Sequence, residues 1–171
     1  MHHSLTGWRS QGVGLFLPAF LQQLAEAHGM AGQFEKGLAL MEEALDLVER
    51  TGERAWEAEI YRGKGELLQL SGETSEAEGC FRKAIEVARR QEAKSWELRA
   101  TVSLSRLLQK DGRSAEARQL LSEIYGWFTE GFDTPDLKEA RALLKDLEAK
   151  ESQRPRGPVK RKKKPKGVES S

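Results

Sequence analysis

The sequence predicts an all-α solenoid, a stack of antiparallel helix hairpins. Three observations carry this. Gly32, Gly72 and Gly112 stand 40 residues apart, and residues around them keep their size class at that interval. Between them, apolar residues recur at the three- and four-residue spacing of a buried helix face. The composition favours Ala, Leu, Glu, Lys, Arg and Gln, good helix formers, and is sparse in Val, Ile and Tyr, which argues against a large sheet. At 38% apolar and 32% charged, the chain is polar for a compact globule and suits an elongated stack with more surface per residue.

The period sets the element order. Residues 1–14 read as the remnant second helix of a preceding repeat, because Leu5 falls on Leu45, Trp8 on Val48 and Gly12 on Gly52. Residues 15–51 form the first repeat. Its first helix carries Phe20, Leu21, Leu24 and Ala25; Gly32-Gln33 turns the chain; Phe34, Leu38, Met41, Ala44, Leu45 and Val48 line the second helix. Residues 52–91 repeat this with Trp56, Ile60, Tyr61, Leu67, Leu68 and Leu70, the break Ser71-Gly72-Glu73-Thr74, and a second helix from about Ser75. That helix places Ala77, Cys80, Phe81, Ala84, Ile85 and Ala88 on one face. Residues 92–131 do so again, with Leu98, Leu104, Leu107 and Leu108, then Asp111-Gly112-Arg113-Ser114, then Ala117, Leu120, Leu121, Ile124 and Tyr125.

Glycine recurs at the inner turn because a helix that stops and reverses ends in a left-handed residue, which Gly adopts at least cost. Small residues recur at Gly37, Ala77 and Ala117, and at Ala25, Gly65 and Ser105, because helix axes approach to about 8–10 Å only where crossing side chains are small.

Residues 132–151 read as a single capping helix. Thr134-Pro135-Asp136 supplies an N-cap, a first-position proline and a first-turn acid. Leu137, Ala140, Leu143, Leu144 and Leu147 form its apolar stripe, and Lys138, Glu139, Arg141, Lys145, Asp146 and Glu148 cover the other side. Residues 152–171 hold eight Lys/Arg against one Glu, while the remaining residues hold 20 Lys/Arg against 26 Asp/Glu. With Pro155, Pro158 and Pro165, that segment reads as a disordered basic tail behind an acidic helical body.

The second-helix residues Ala77, Phe81 and Ala84 of the middle unit are similar to the Ala, aromatic, Ala pattern of tetratricopeptide repeats. Gly37, Met41 and Ala44 take those places in the first unit, and Ala117, Leu121 and Ile124 in the third. The family's usual period is about 34 residues; here it is 40, and Lys64 stands where the family has Leu. The chain therefore resembles the longer, irregular class of these repeats. Three stretches, 32–49, 55–90 and 125–140, resemble the C-terminal arrays of large bacterial ATPase regulators, some nucleotide-cyclase-linked and some of LuxR type. The resemblance implies a C-terminal fragment of a larger signalling ATPase or transcriptional regulator.

Nothing in the sequence argues for an enzyme. There is no phosphate-binding loop, and Gly63-Lys64-Gly65 reads as small residues at a helix contact. His2, His3 and His28 are the only histidines and lack ligand spacing, so neither metal nor cofactor is expected; His28, at the repeat's aromatic position, reads as a packing residue. Cys80 beside Phe81 reads as an inert core thiol, and a lone cysteine suits a reducing compartment. Acidic residues fall at solvated positions, with Glu86–Arg90 as an ordinary i,i+4 pair. The apolar stretch before Leu21 is too short to span a bilayer and is broken by Pro18, so no membrane association and a cytoplasmic location are expected.

The resemblance implies that first helices line a concave groove taking a protein or peptide segment. Projecting there are Gln22, Glu26, Glu59, Arg62, Glu66, Gln69, Arg99, Arg106 and Gln109, acidic near Glu26 and Glu66 and basic near Arg99 and Arg106. The family's Lys/Asn clamp for a C-terminal carboxylate is missing, since Glu66 and Arg106 occupy the Asn place. The same residues also read as plain solvated faces. The alternative function is nucleic-acid association through Lys160, Arg161, Lys162, Lys163, Lys164 and Lys166, against which stands a simple solubilising tail. Uncapped apolar residues Leu5, Trp8, Phe16 and Phe20 predict self-association through the N-terminal end.

Overall fold

The computed structural model describes residues 16–153, with side chains up to Lys150. Seven helices and no strand occur among them: α1 (Leu17–Met30), α2 (Phe34–Thr51), α3 (Glu57–Ser71), α4 (Thr74–Arg90), α5 (Lys94–Lys110), α6 (Ser114–Tyr125) and α7 (Pro135–Gln153). Residues 1–14 and the basic run 160–166 lie outside the described residues.

Each hairpin closes the same way. Gly32, Gly72 and Gly112 have φ of +73°, +96° and +78°. One residue further on, Gln33, Glu73 and Arg113 donate their backbone N–H to His28, Leu68 and Leu108 carbonyls at 2.8–2.9 Å. A left-handed residue lets the chain satisfy those orphan carbonyls while reversing. The joint between α4 and α5 uses this motif without glycine: Ala93 donates to Ala88 at 2.9 Å, and Glu92 takes φ +56°.

Helix α1 packs on α3, α3 on α5 and α5 on α7, while the backbones of α2, α4 and α6 stay apart. First helices thus crowd into one layer and second helices splay in the other. This curves the stack and puts the first helices on its concave side.

Helix contacts are set by missing side chains. A Cβ at Gly65 would lie 2.6 Å from the Phe81 ring, and one at Gly63 would lie 2.7 Å from Met41 Cε. Phe81 and Met41 are fully buried in those hollows. The Gly-Lys-Gly triplet is therefore a packing device, as its position in the helical pattern predicts. In the third hairpin Ser105 replaces glycine, and its hydroxyl donates to the Ala117 carbonyl at 3.2 Å.

The core is two large apolar clusters and a small one of Ala58, Val87 and Ala88, against which Tyr61 and Trp96 pack. One, around Leu21, Met41, Val48, Ile60 and Leu67, joins α1 to α3. The other runs from Phe81 through Leu104 and Leu121 to Leu147. Helix α7 seals that end by burying Leu137, Ala140, Leu143 and Leu147.

Two joints carry buried acids that looked solvated in sequence. Glu57 is held by Arg54 at 3.1 Å and Arg90 at 3.3 Å; Glu97 is held by Arg89 at 2.6 Å and Lys94 at 2.7 Å. Beside them Trp56 and Trp96 stack at 5.7 Å. Arg90 is thereby taken from Glu86, which pairs with Lys83 at 3.0 Å. The expected Glu86–Arg90 pair is corrected because a nine-tenths buried carboxylate gains more from a cation than an exposed one. Thr134 holds the N-cap position of α7, its carbonyl accepting from the Lys138 N–H at 3.0 Å, while its hydroxyl donates backwards to the Gly131 carbonyl at 2.8 Å.

Candidate functional site: a concave groove

The groove is assembled from one face of each first helix. On α3, Glu59, Arg62, Glu66 and Gln69 follow helical spacing; on α5, Arg99, Ser103, Arg106 and Gln109 do the same. Gln22 and Glu26 form one turn of α1, where the Gln22 amide donates to Glu26 at 3.1 Å. All nine residues named from the sequence lie on α1, α3 or α5, but their surroundings differ. Gln22, Glu59 and Arg62 are buried, Arg106 is exposed and the others are half-buried.

Arg62 is the hub. Its Nε donates to Glu59 at 3.0 Å, it pairs closely with Glu66, and Glu26 lies 3.8 Å away. Burial opposes its charge, but Glu66 and Glu59 prevail and raise its pKa above the ordinary guanidinium value. The other oxygen of Glu59 makes no hydrogen bond and faces Arg99 at 3.5 Å. Arg106 pairs with Glu139 of α7 at 2.7 Å, and Ser103 donates to Glu66 at 3.1 Å. The acid-to-base gradient expected along the groove is thus neutralised within the protein. Each arginine already faces a carboxylate, which lowers its value as a free anion anchor.

Two adjoining cavities lie along this surface. One of about 180 Å³ sits between α3, α5 and α7, with Leu98 and Val102 beside Arg99 and with Asp136 and Glu139 opposite. The other, about 490 Å³, continues past Gln69, Leu70 and Gln109. Glu66, Ser103 and Arg106 border both. Leu70 is 64% exposed, and the Gln109 amide nitrogen is buried without a hydrogen-bond partner. The groove therefore offers one apolar edge and one unsatisfied donor.

Sequence reading missed Ser103, Leu70, Asp136 and Glu139. In sequence Leu70 reads as part of the apolar stripe, Asp136 as a first-turn acid of the capping helix and Glu139 as part of its wet side. A signal existed for Glu139: Glu59, Arg99 and Glu139 stand 40 residues apart and so occupy equivalent places on α3, α5 and α7.

The remaining candidates sit elsewhere. His28 Nδ1 lies 2.8 Å from the Gln33 carboxamide oxygen, so the ring ties down the first turn. Cys80 is half-buried, and burial pushes its thiol pKa up although Lys64 pulls it down. Among the described residues, no group of three His, Cys, Asp or Glu is placed to hold a metal ion. No helix among them is long and apolar enough to cross a membrane.

Family models described as tetratricopeptide repeat match residues 17–90 and 98–123, together more than half of the chain. No curated protein matches it. Among solved structures, the chain is similar to a putative kinesin light chain with nearly identical TPR-like repeats from Podosopora anserina. That match has a TM-score of 0.60 and 18% identity over 84% of this chain and 79% of that one. It is also similar to BtubC (BKLC) from P. vanneervenii, with a TM-score of 0.59 and 15% identity over 91% of this chain and 71% of that one. At such identities the likeness concerns the fold.

Proposed function

Because this chain belongs to the tetratricopeptide repeat family, we propose that it is a protein-interaction scaffold holding an extended segment of a partner in the groove lined by α1, α3, α5 and α7. The observation that carries this reading is the pair of adjoining cavities sharing Glu66, Ser103 and Arg106. An extended peptide leaves its backbone unpaired on at least one side. The Gln109 amide, buried without a partner, supplies a donor for one peptide carbonyl. An apolar side chain rests on Leu70, and charged residues of either sign exchange with the Arg106–Glu139 pair. Selectivity then comes from shape and apolar contact more than from net charge.

Selection of displayed peptides against the full chain tests the reading. A selected peptide loses at least about tenfold in affinity with Leu70→Asp or Gln109→Ala, both partly exposed changes, while the helical circular-dichroism signal stays unchanged. Unaltered affinity in both variants refutes the groove.

The charge of residues 152–171 supports a second reading, nucleic-acid association. Removing them should abolish DNA retention that falls steeply with salt; equal retention by the shortened chain refutes it. The wider role, an arm of a larger signalling ATPase or transcriptional regulator, is supported by the sequence resemblance alone. An in-frame upstream reading frame encoding a phosphate-binding loop is its test.

A further inference from the structure

On the premise that the groove holds an extended partner segment, we propose that this segment carries a lysine or arginine that docks on Asp136. That residue stands about four or five positions from the apolar side chain that rests on Leu70.

Charge around the smaller cavity is uneven. Arg62 faces Glu26, Glu59 and Glu66, Arg99 shares Glu59, and Arg106 takes Glu139. Three arginines thus meet four carboxylates before Asp136 is counted. Asp136 lines the same cavity, half-buried, and among the described residues its carboxylate has no hydrogen bond or ion pair. The positive end of α7 offsets only about half of one charge, so a surplus of negative charge remains. Exchange at the Arg106–Glu139 pair gives no preference of sign, but this surplus does. An anionic side chain meets it with every arginine already compensated, whereas a cation relieves it.

Size and wall fit one long side chain. At about 180 Å³ the cavity is smaller than the roughly 300–1,000 Å³ of small-molecule sites. Leu98 and Val102 wall it, so the methylene stem of a lysine or arginine lies on them while its cation reaches Asp136. Lys110 borders the other cavity. It disfavours a cation there and leaves that end to the apolar side chain on Leu70.

Two donors on α5 place the peptide backbone. Among the described residues Arg99 has one partner, Glu59 at 3.5 Å, and no hydrogen bond. Its charge is compensated while its N–H groups stay open, which suits a neutral peptide carbonyl. The buried Gln109 amide nitrogen is the second donor. Ten residues of helix separate the two, about 15 Å, which an extended chain covers in about four or five residues. The same span sets the distance between the basic and the apolar side chain.

A synthetic library of random peptides with acetyl and amide ends, screened against the full chain, tests this. Binders should carry Lys or Arg about four or five residues from a large apolar residue. Replacing that basic residue by norleucine should weaken a binder about tenfold against the wild type, and less than about twofold against Asp136→Asn. Asp136→Lys should reverse the preference and accept the same peptide with Glu in that place. The helical circular-dichroism signal should stay unchanged in each variant, so that binding and not folding is read. Binders that need Leu70, tested with Leu70→Asp, but carry no basic residue overturn the anchor and leave the groove standing. Binders that keep their affinity for Asp136→Asn do the same. Binders indifferent to both Leu70→Asp and Gln109→Ala overturn the groove and the anchor together.

Discussion

Replacing Arg62 by Met tests whether the groove's ion network holds the stack together or merely decorates it. The Arg62 side chain is 10% exposed and Glu59 4%. Methionine keeps most of the apolar stem but leaves Glu59 buried, with only Arg99 at 3.5 Å to offset its charge. Removing one partner of a buried pair costs about 3–5 kcal/mol. The residual Arg99 contact reduces this to about 3 kcal/mol, which at 2–4 °C per kcal/mol lowers the melting temperature by roughly 6–12 °C. The double variant Arg62→Met/Glu59→Gln removes the stranded charge as well and should recover about half of that loss. Urea unfolding followed by circular dichroism on the wild type, both singles and the double closes the cycle. A coupling energy of at least about 1.5 kcal/mol is expected. Strict additivity, or an Arg62→Met loss within about 0.5 kcal/mol, refutes the claim that the network is structural.

Three further outcomes follow from other parts of the fold. Glu92 holds a left-handed position that Gly52 holds one repeat earlier, so Glu92→Gly should stabilise the chain by about 0.5–1 kcal/mol, read as a higher urea midpoint; a lower midpoint contradicts the strain. Gly65→Ala gains about 1 kcal/mol of helix propensity but drives its Cβ into the buried Phe81 ring, at a cost of about 1–3 kcal/mol. The net loss should disappear in a Phe81→Leu background; an unconditional gain in stability rules out the close contact. Glu78 and Glu116 close a ring with Arg82 and Arg113 between α4 and α6. Hydrogen bonds from Arg113 to Glu78 and from Arg82 to Glu116 hold both carboxyls below their ordinary value of 4.5. A carboxyl with a depressed folded pKa stabilises fully above its unfolded value and loses that effect as pH falls through the folded one. The urea midpoint should therefore drop below about pH 4.5, and drop less in Arg82→Gln; identical acid profiles exclude the ring as a contributor.

The periodic part of the structure was legible in the chain. Helix placement, the left-handed glycines and the buried Phe81, Ala84 and Leu121 all depend on neighbours three, four or 40 residues away, and such spacings are visible in one dimension. The placement of the nine residues proposed for the groove on α1, α3 and α5 was legible for the same reason, as helical spacing along each first helix. Their electrostatic condition was not. Arg106 ends on Glu139 and Glu59 between Arg62 and Arg99, because helices separated by a whole hairpin become neighbours once the layer closes. Glu57 and Glu97 were misjudged in the same way, since a glutamate at a helix start looks solvated until the preceding or following helix covers it with arginine. Sequence by itself determined which residues turn, which are apolar and how often the pattern returns, through local backbone preference and side-chain periodicity. Only the tertiary structure decided which charges meet and which apolar face stays bare, because both are set by the curvature and offset between repeats, to which every packed side chain contributes.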